Sequence, residues 1–421
     1  MSETREKIIK DFREEIKHAY EPGARVMSAD RELRFCFELQ RDRLAKKKLT
    51  YSEEMTRRGL FSNGFNKVRS WQDGRYETTW AVDFIDHKKT FSRDGMRIYK
   101  KRQKQSMYET VVDVHEGEDV RDDKYCCPNC GATSTIAELQ EGCPHCGTSF
   151  KMSELYPKVS NFFYVYDESG TGKELFLKVV KYGLCLLPVT IGLFLWTVYS
   201  ENGIAPIEYI KSPSKLITMI IGLIITTPIV GFFGWFLSIW GRFIKMILTD
   251  LPLIFSIINS RRAFAYNMSK ICPEYTFERF AARMMSLLKI VAYSDHDEEL
   301  PFYKGDNLGD LFDDVADITF RGMTTLKKVR TKENMVYVTA DLYVETAHDL
   351  GTKIKVRRET YRVTAGRRLD VPFTANFSIT EIECKSCGGS FNAYKTNKCP
   401  YCGTEYKPED EDWALYDIQK R

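Results

Sequence analysis

Eight of the chain's twelve cysteines fall into two matching quartets, and this spacing limits the fold more than any other feature. The first quartet is Cys127-Pro-Asn-Cys130, twelve residues, then Cys143-Pro-His-Cys146. The second is Cys384-Lys-Ser-Cys387, eleven residues, then Cys399-Pro-Tyr-Cys402. Two thiolates separated by two residues sit on one tight knuckle and supply half of a tetrahedron, and a second knuckle across a short hairpin closes it. Glycine follows the last cysteine of every knuckle, at Gly131, Gly147, Gly388 and Gly403. That position commonly needs positive φ, which glycine adopts without a Cβ clash. The pattern predicts two zinc ribbons. Each would hold one structural Zn2+, through Cys127, Cys130, Cys143 and Cys146 and through Cys384, Cys387, Cys399 and Cys402. A site closed by four thiolates has no position left for a reacting water, so these ions are expected to support folding rather than catalysis. Two disulfides per quartet is the competing reading, and a reducing compartment opposes it.

Of the 421 residues, 62 are basic and 58 acidic, a balance too even to point to nucleic acid by itself. The opening residues Met1 to Lys7 are charged and hold no apolar signal core, so no signal sequence is expected. Two stretches break with this charged background. Residues 182–199 and 216–241 carry no charge and are mostly apolar, and each is about long enough to cross ~30 Å of hydrocarbon as a helix. Tyr182, Trp196, Tyr199, Trp235 and Trp240 lie near their ends, where aromatic rings settle at a membrane interface. Gly222, Gly231 and Gly234 are candidates for close helix approach. Lys173, Lys178 and Lys181 precede the first stretch, and Arg242, Lys245, Arg261 and Arg262 follow the second. The connector has only Lys211 and Lys215, set against Glu201 and Glu208. The positive-inside rule then places both termini in the cytoplasm, with two spans in the cell membrane. Residues 243–258 are apolar but broken by Lys245, Asp250 and Pro252. They read as part of a juxtamembrane helix over 242–272, with a third span as the alternative.

Ahead of the first span, residues 1–20 and 30–48 have helical periodicity. Strands are expected at 67–71, 76–85, 96–101 and 108–114, with turns at Asp73-Gly74 and Asp94-Gly95. Arg97, Lys100, Lys101, Arg102 and Lys104 form the densest basic run. Anionic lipid or nucleic-acid phosphate would suit it, and a solvated strand edge guarded by lysine is the plainer reading. Gly170-Thr171-Gly172-Lys173 lacks the first glycine of a phosphate loop and reads as a linker.

After residue 273 the pattern is again α+β. Phe277, Phe280, Ala281, Met284, Leu287, Leu288 and Val291 form one apolar stripe. A short helix is expected over 307–315, with Asp306, Asp310, Asp313, Asp314 and Asp317 on its solvent side. Val336, Val338, Ala340, Leu342 and Val344 alternate strictly, as one face of a strand. Further strands are expected over 353–363, 377–382 and 413–418. Long helix, short helix and curved antiparallel sheet, followed by a ribbon and the last strand Asp412-Trp413-Ala414-Leu415, resemble a bacterial membrane-protein family. Its members carry a domain similar to subunit 44 of the mitochondrial inner-membrane import translocase. The resemblance covers residues 273–418 and implies the cone-shaped fold of nuclear transport factor 2. It also implies a binding role in which the concave sheet face, Val336–Val344 and Ile354–Val363, is the pocket. The two halves also echo each other, each running helix, strands, ribbon and aromatic strand; Phe162 to Tyr166 is the last of these in the first half.

No catalytic constellation stands out. The six histidines are scattered, and His145 sits inside a knuckle that already has its ligands. Asp295-His296-Asp297-Glu298-Glu299 reads as a solvated loop rather than a positioned acid–base pair. The expected fold class is α+β, a two-span helical membrane hairpin between two cytoplasmic α+β domains, each carrying a four-cysteine zinc ribbon. The expected order is an N-terminal domain over 1–125, a ribbon over 126–150, a linker over 151–181 and spans over 182–199 and 216–241. The juxtamembrane helix (242–272) and a cone-like domain over 273–418 follow, the latter with its ribbon inserted at 384–403. The expected role is non-enzymatic: binding of a protein, peptide or lipid partner at the bilayer. A membrane-tethered nucleic-acid-associated ribbon protein is the alternative.

Overall fold

The computed structural model describes residues 3–57, 66–166, 172–203, 206–245, 247–248, 251–273, 275–294, 300–370, 382–393, 396–410 and 412–421. Contacts divide the chain into two units. One joins Met1–Asp167 to Ile257–Arg421, and the other is Glu168–Ser256.

The first half of the larger unit opens with helices α1 (Glu3–His18) and α2 (Arg31–Lys46). Ile9, Phe12 and Ile16 recur at helical spacing and bury one face of α1. Asp30 caps α2, its carboxylate accepting the Leu33 N–H at 2.7 Å. Strands β1 (Leu49–Arg57), β2 (Asn66–Asp73), β3 (Tyr76–Arg93) and β4 (Met96–Val114) follow. The basic run therefore lies inside one continuous strand rather than between two. The expected turns are both present, Asp94 and Gly95 taking φ values of 50° and 77° where β3 reverses into β4. The first ribbon contributes β5 (Lys124–Cys126), β6 (Thr133–Thr135) and α3 (Ile136–Glu141), and α4 (Met152–Leu155) leads to β7 (Lys158–Tyr166). The sheet order is β1-β3-β4-β7. β2 continues the β1 edge, pairing with Tyr76–Val82 of β3 while β1 pairs with Ile85–Arg93.

The smaller unit holds α5 (Gly172–Asn202), α6 (Pro206–Lys211) and α7 (Pro213–Lys245). α5 and α7 lie against each other at glycines. A Cβ on Gly183 would meet Thr227, and one on Gly231 would meet Val179 O and the Gly183 backbone. Gly234 abuts Leu186 and Tyr182, whereas Gly222 faces open space and takes no part in this contact. Tyr182 Oη lies 2.9 Å from Ser238 Oγ across the pair. Thr190, Thr197, Thr218 and Thr226 turn their hydroxyls back onto carbonyls of their own helix, which hides polar groups from an apolar surrounding.

The second half of the larger unit begins within α8 (Leu251–Met268). The juxtamembrane helix is thus shorter than the expected 242–272, and its C-terminal part is core: Phe264 is 0% and Met268 1% exposed. α9 (Phe277–Tyr293) carries the expected apolar stripe. The short helix of 307–315 is only one 3-10 turn, Gly309–Phe312. β8 (Val315–Lys332) starts at once and makes a tight turn, with Glu333 and Asn334 at positive φ, into β9 (Met335–Asp349). β10 (Ile354–Arg368), the ribbon strands β11 (Ile382–Glu383) and β12 (Ser390–Phe391), and β13 (Ala414–Lys420) complete it. The sheet order is β8-β9-β10-β13. The strand expected over 377–382 and the loop 295–299 fall largely or wholly outside the described residues, as do Gly170 and Thr171.

The halves repeat one topology. A helix pair precedes a first edge strand (β1 with β2, or β8), then two hairpin strands, a ribbon, and a fourth strand beside the third. The reading of residues 1–125 and 273–418 as separate domains is corrected here, because the halves share a core. Phe35, Cys36 and Phe163 of the first pack in one cluster with α9 and with Phe320, Val338 and Trp413 of the second. β7 shows why its sequence is aromatic on both faces. Phe162 and Tyr164 pack with α1 residues, while Phe163 points into the shared core.

Candidate metal centres and the cavity between the halves

Each cysteine pair is held by the same short chain path. The N–H of Gly131, Gly147, Gly388 and Gly403 donates to the carbonyl of the cysteine four residues earlier, at 2.8–2.9 Å, and all four glycines have φ between 71° and 81°. The first cysteine's own N–H donates in turn to the carbonyl five residues on: Ala132, Thr148, Gly389 or Thr404. These four knuckles aim eight sulfurs at two points. In the first quartet Cys127 and Cys146 are 3.7 Å apart and Cys130 and Cys143 3.8 Å. In the second, Cys384–Cys402 and Cys387–Cys399 are both 3.6 Å apart. Within each quartet all ligand atoms lie within 4.8 Å of one another. A zinc ion about 2.3 Å from each sulfur in a tetrahedron requires S···S edges of about 3.8 Å, whereas a disulfide requires about 2 Å. The two tetracysteine clusters are compatible with two structural zinc sites.

The thiols by themselves resist joint ionisation. Hydrogen bonding to Thr148 and Thr404 draws Cys146 and Cys402 down to about 6, while burial, backed by neighbouring thiols, pushes Cys130 up to about 12. A bound dication removes that conflict by favouring four thiolates together. In each knuckle the first cysteine is buried and the second exposed. The clusters differ in what surrounds them. Cys384 and Cys399 belong to the shared core, whereas Cys127 and Cys143 pack in a satellite cluster with Tyr76, Ile136, Leu139 and Tyr156. The ribbons also touch: Thr133 N donates to Ser390 Oγ at 3.2 Å, and Lys124 pairs with Glu383. Thr133 and Ser390 each stand six residues after the first cysteine of their quartet, so equivalent positions meet, as a local two-fold relation requires.

The concave face expected to form a pocket is packed instead. Val336, Val338, Ala340, Leu342 and Val344 are all 0% exposed in the core that contains α9. A cavity of about 190 Å³ lies elsewhere in the larger unit, at the seam of the halves. The start of α2, strands β2, β3 and β7, α8, the start of α9, β8, Arg367 and Asp412 line it. Trp71, Trp80, Tyr76, Phe163, Tyr275 and Phe277 give it aromatic walls. Trp71 and Trp80 meet edge to face with centroids 5.3 Å apart. Its described cations are Arg31, Lys158, Arg261, Arg279, Arg283 and Arg367, and its described carboxylates are Asp30, Glu32, Glu278 and Asp412. Arg283 pairs with both Glu32 and Asp412, and Arg261 with Glu278 at 3.1 Å. Burial pushes Asp30 up to about 7, with Glu32 adding to the effect. Burial lowers Lys158 to about 8 and lowers Arg367.

A second polar cluster crosses the same seam. Lys89 of β3 lies 3.1 Å from Asp317 of β8 and 3.6 Å from Glu53 of β1. His87 Nε2 is 3.3 Å from Glu53, and its Nδ1 is 2.6 Å from Gln105. Asp317, expected on a solvated helix face, is thus a buried partner of Lys89. Asp314 of that face holds His348 Nδ1 at 2.9 Å, and Glu359 holds Nε2 at 2.9 Å. Neither the cavity nor these clusters carried a local motif, because their members come from strands and helices far apart in the chain. The basic run lies on the part of β4 that pairs with β3 alone; Lys100, Lys101 and Arg102 are exposed beyond its pairing with β7, which begins at Gln105. No protein-family model, curated protein or solved structure matches the chain.

Proposed function

We propose that this chain is a membrane-anchored binding protein without catalytic turnover. A two-helix hairpin spans the cell membrane and holds a zinc-supported unit at the cytoplasmic face, where it takes a protein, peptide or lipid partner. The observation that carries this reading is the helix pair Phe176–Ser200 and Pro213–Gly241, each long and apolar enough to cross a bilayer and each only 6% buried over its most apolar window. A buried hairpin in a soluble core would be covered. The shared core adds a constraint. Residues before and after the hairpin pack together, so they must lie on one side of any membrane. That requires an even number of crossings, which supports two spans over three. The flanking lysines and arginines favour the cytoplasmic side. The resemblance to import-translocase-like domains supports binding rather than turnover, and the exposed basic edge of β4 favours the second reading, contact with nucleic acid.

Alkaline extraction of membranes tests the anchor: the chain should stay in the pellet, and release into the supernatant would refute it. Crosslinking in cells, then purification in mild detergent with zinc retained, tests the role. A protein or lipid recovered reproducibly with the full chain supports the first reading. Recovery of nucleic acid that falls steeply with salt supports the second.

A further inference from the structure

The third strand of each half outruns the fourth strand beside it. β10 starts at Ile354, but β13 pairs with it only from Tyr361 to Gly366. β4 starts at Met96, and β7 pairs with it only from Gln105 to Val112. Counted back from Gln105 and Tyr361, Ile98 matches Ile354, Lys101 matches Arg357 and Arg102 matches Arg358, so the repeat gives both halves the same edge. Apart from the ladder with β9, no main-chain hydrogen bond of Ile354 to Glu359 reaches another described residue. The bond from Arg421 N to Thr360 O, at 2.9 Å, closes the stretch. From Ile354 to Glu359 the edge is about 17 Å long, at ~3.3 Å per residue.

Side chains alternate along it. Ile354 is buried and Val356 half-buried, both in a cluster with Leu49, Tyr51 and Phe91 of the first half. Lys353, Lys355 and Arg357 are exposed, and no ion pair joins any of them to another described residue. Arg358 stands opposite Glu345 in register, and Glu359 is held by His348, Tyr361 and Lys420, so neither adds to the row. The same cluster brings the first half's basic run to this tip. Ile98 and Tyr99 pack against it, and Arg93, at the turn before them, pairs with Asp349. Arg97 and Lys100 are exposed next to them in the strand. The chain holds no acidic residue from Lys353 to Arg358 or from Arg97 to Lys104.

Lysine on a strand edge ordinarily resists pairing. A row of one sign does so against a second copy of this chain, yet it attracts a strand of the opposite sign. Lipid headgroups and nucleic-acid phosphates would meet the charge alone. An extended polypeptide meets the charge and also fills both the N–H and the C=O groups of the edge.

We infer that the β10 edge from Ile354 to Glu359 takes an extended acidic segment of a partner protein as an added strand, its carboxylates toward Lys353, Lys355 and Arg357. Arg97 and Lys100, on the adjoining hairpin, extend the positive surface. In the first half Asp167 and Glu168 follow β7 in the chain, so β10 is the edge assigned. This deepens the peptide-binding role proposed above and rests on that role, not on membrane insertion. If a partner is recovered from cells but the peptide below fails, the role stands and the strand falls.

The test is fluorescence anisotropy of the zinc-loaded full chain in a non-ionic amphipol. The probe is a labelled peptide of alternating glutamate and valine. One comparator has its central valines replaced by proline, which keeps the charge and removes strand pairing. The other has lysine in place of glutamate. The probe should bind about tenfold or more tightly than either, in keeping with lost hydrogen bonds or a reversed row of charge. It should also slow hydrogen exchange over residues 354–359. The double variant Lys355→Glu with Arg357→Glu should weaken binding about tenfold or more, and Arg97→Glu should weaken it less. Lys10→Glu, exposed on α1, should change nothing. Equal binding by the proline peptide, or unaltered binding by the double variant, would overturn the proposal. A short oligothymidylate or phosphatidylglycerol vesicles that bind more tightly than the probe, and lose that affinity in the double variant, would overturn it in favour of phosphate.

Discussion

Replacing Cys399 by serine removes one of four sulfurs from the second quartet, the one that lies 3.6 Å from Cys387, and leaves three. A serine hydroxyl stays protonated near neutral pH and is a poor replacement ligand. Zinc sites of this type supply about 10–16 kcal/mol in small peptides, as much as the whole ~5–15 kcal/mol stability of a typical domain. Part of that loss stays local and part is passed on. Ile382 and Phe391 are 4% and 5% exposed, and both pack in the shared core. Exposing two such side chains costs roughly 3–6 kcal/mol by the usual burial scale. The same change at Cys143 strikes the satellite cluster instead. Both variants should therefore hold one zinc per chain rather than two, but their spread differs. Hydrogen exchange followed by mass spectrometry should show Cys399→Ser stripping protection from α9 and β13, and Cys143→Ser leaving them protected. Retention of two zinc ions by Cys399→Ser, or equal loss of protection in α9 by both variants, would refute the reasoning.

Three further outcomes are expected. Arg13 is buried between Glu109, which is 0% exposed, and Asp83 at 2.8 Å, which also pairs with Arg57; Arg13→Met leaves the buried Glu109 carboxylate without this partner and should destabilise the unit by about 3–5 kcal/mol in denaturant titration. His348 is raised above its usual range, chiefly by its hydrogen bond to Glu359, so its contribution is complete below about 6.5 and fades as pH rises through the higher folded value. Glu359 is held down at about 2 despite burial, by His348, Lys420 and Tyr361, so its share is complete above about 4.3 and fades as pH falls toward 2. The stability gap between the parent and His348→Gln should thus be widest near pH 5–6 and shrink toward alkaline pH, and a gap that widens there would contradict the assignment. Gly231→Val puts methyls against Val179 O and Gly183, so it should cost about 1–3 kcal/mol in helix packing and lower the monodisperse yield after mild-detergent extraction. Gly222→Val, with open space around it, should match the parent.

The amino-acid sequence by itself determined what depends on short stretches of chain. Two cysteines and a glycine within five residues encode a complete knuckle, hydrogen bonds included, so both metal centres were legible residue by residue. The same holds for the apolar helices, the stripe on α9 and the Asp94-Gly95 hairpin, because hydropathy, helical period and turn conformation are local properties. Periodicity also misled where local signals are weak. The five aspartates from Asp306 to Asp317 looked like a solvated helix face, yet Asp317 is drawn inward by Lys89, whose position 228 residues away leaves no local trace. The alternating valines of β9 marked a buried face correctly but could not reveal that α9 would fill it. Tertiary structure alone decided that the halves share one core, that equivalent residues of the ribbons meet, and that arginines and tryptophans from both halves enclose a cavity. These features are sums of contacts between distant segments. Many sequences could satisfy each contact, so no short pattern announces them until the chain has folded.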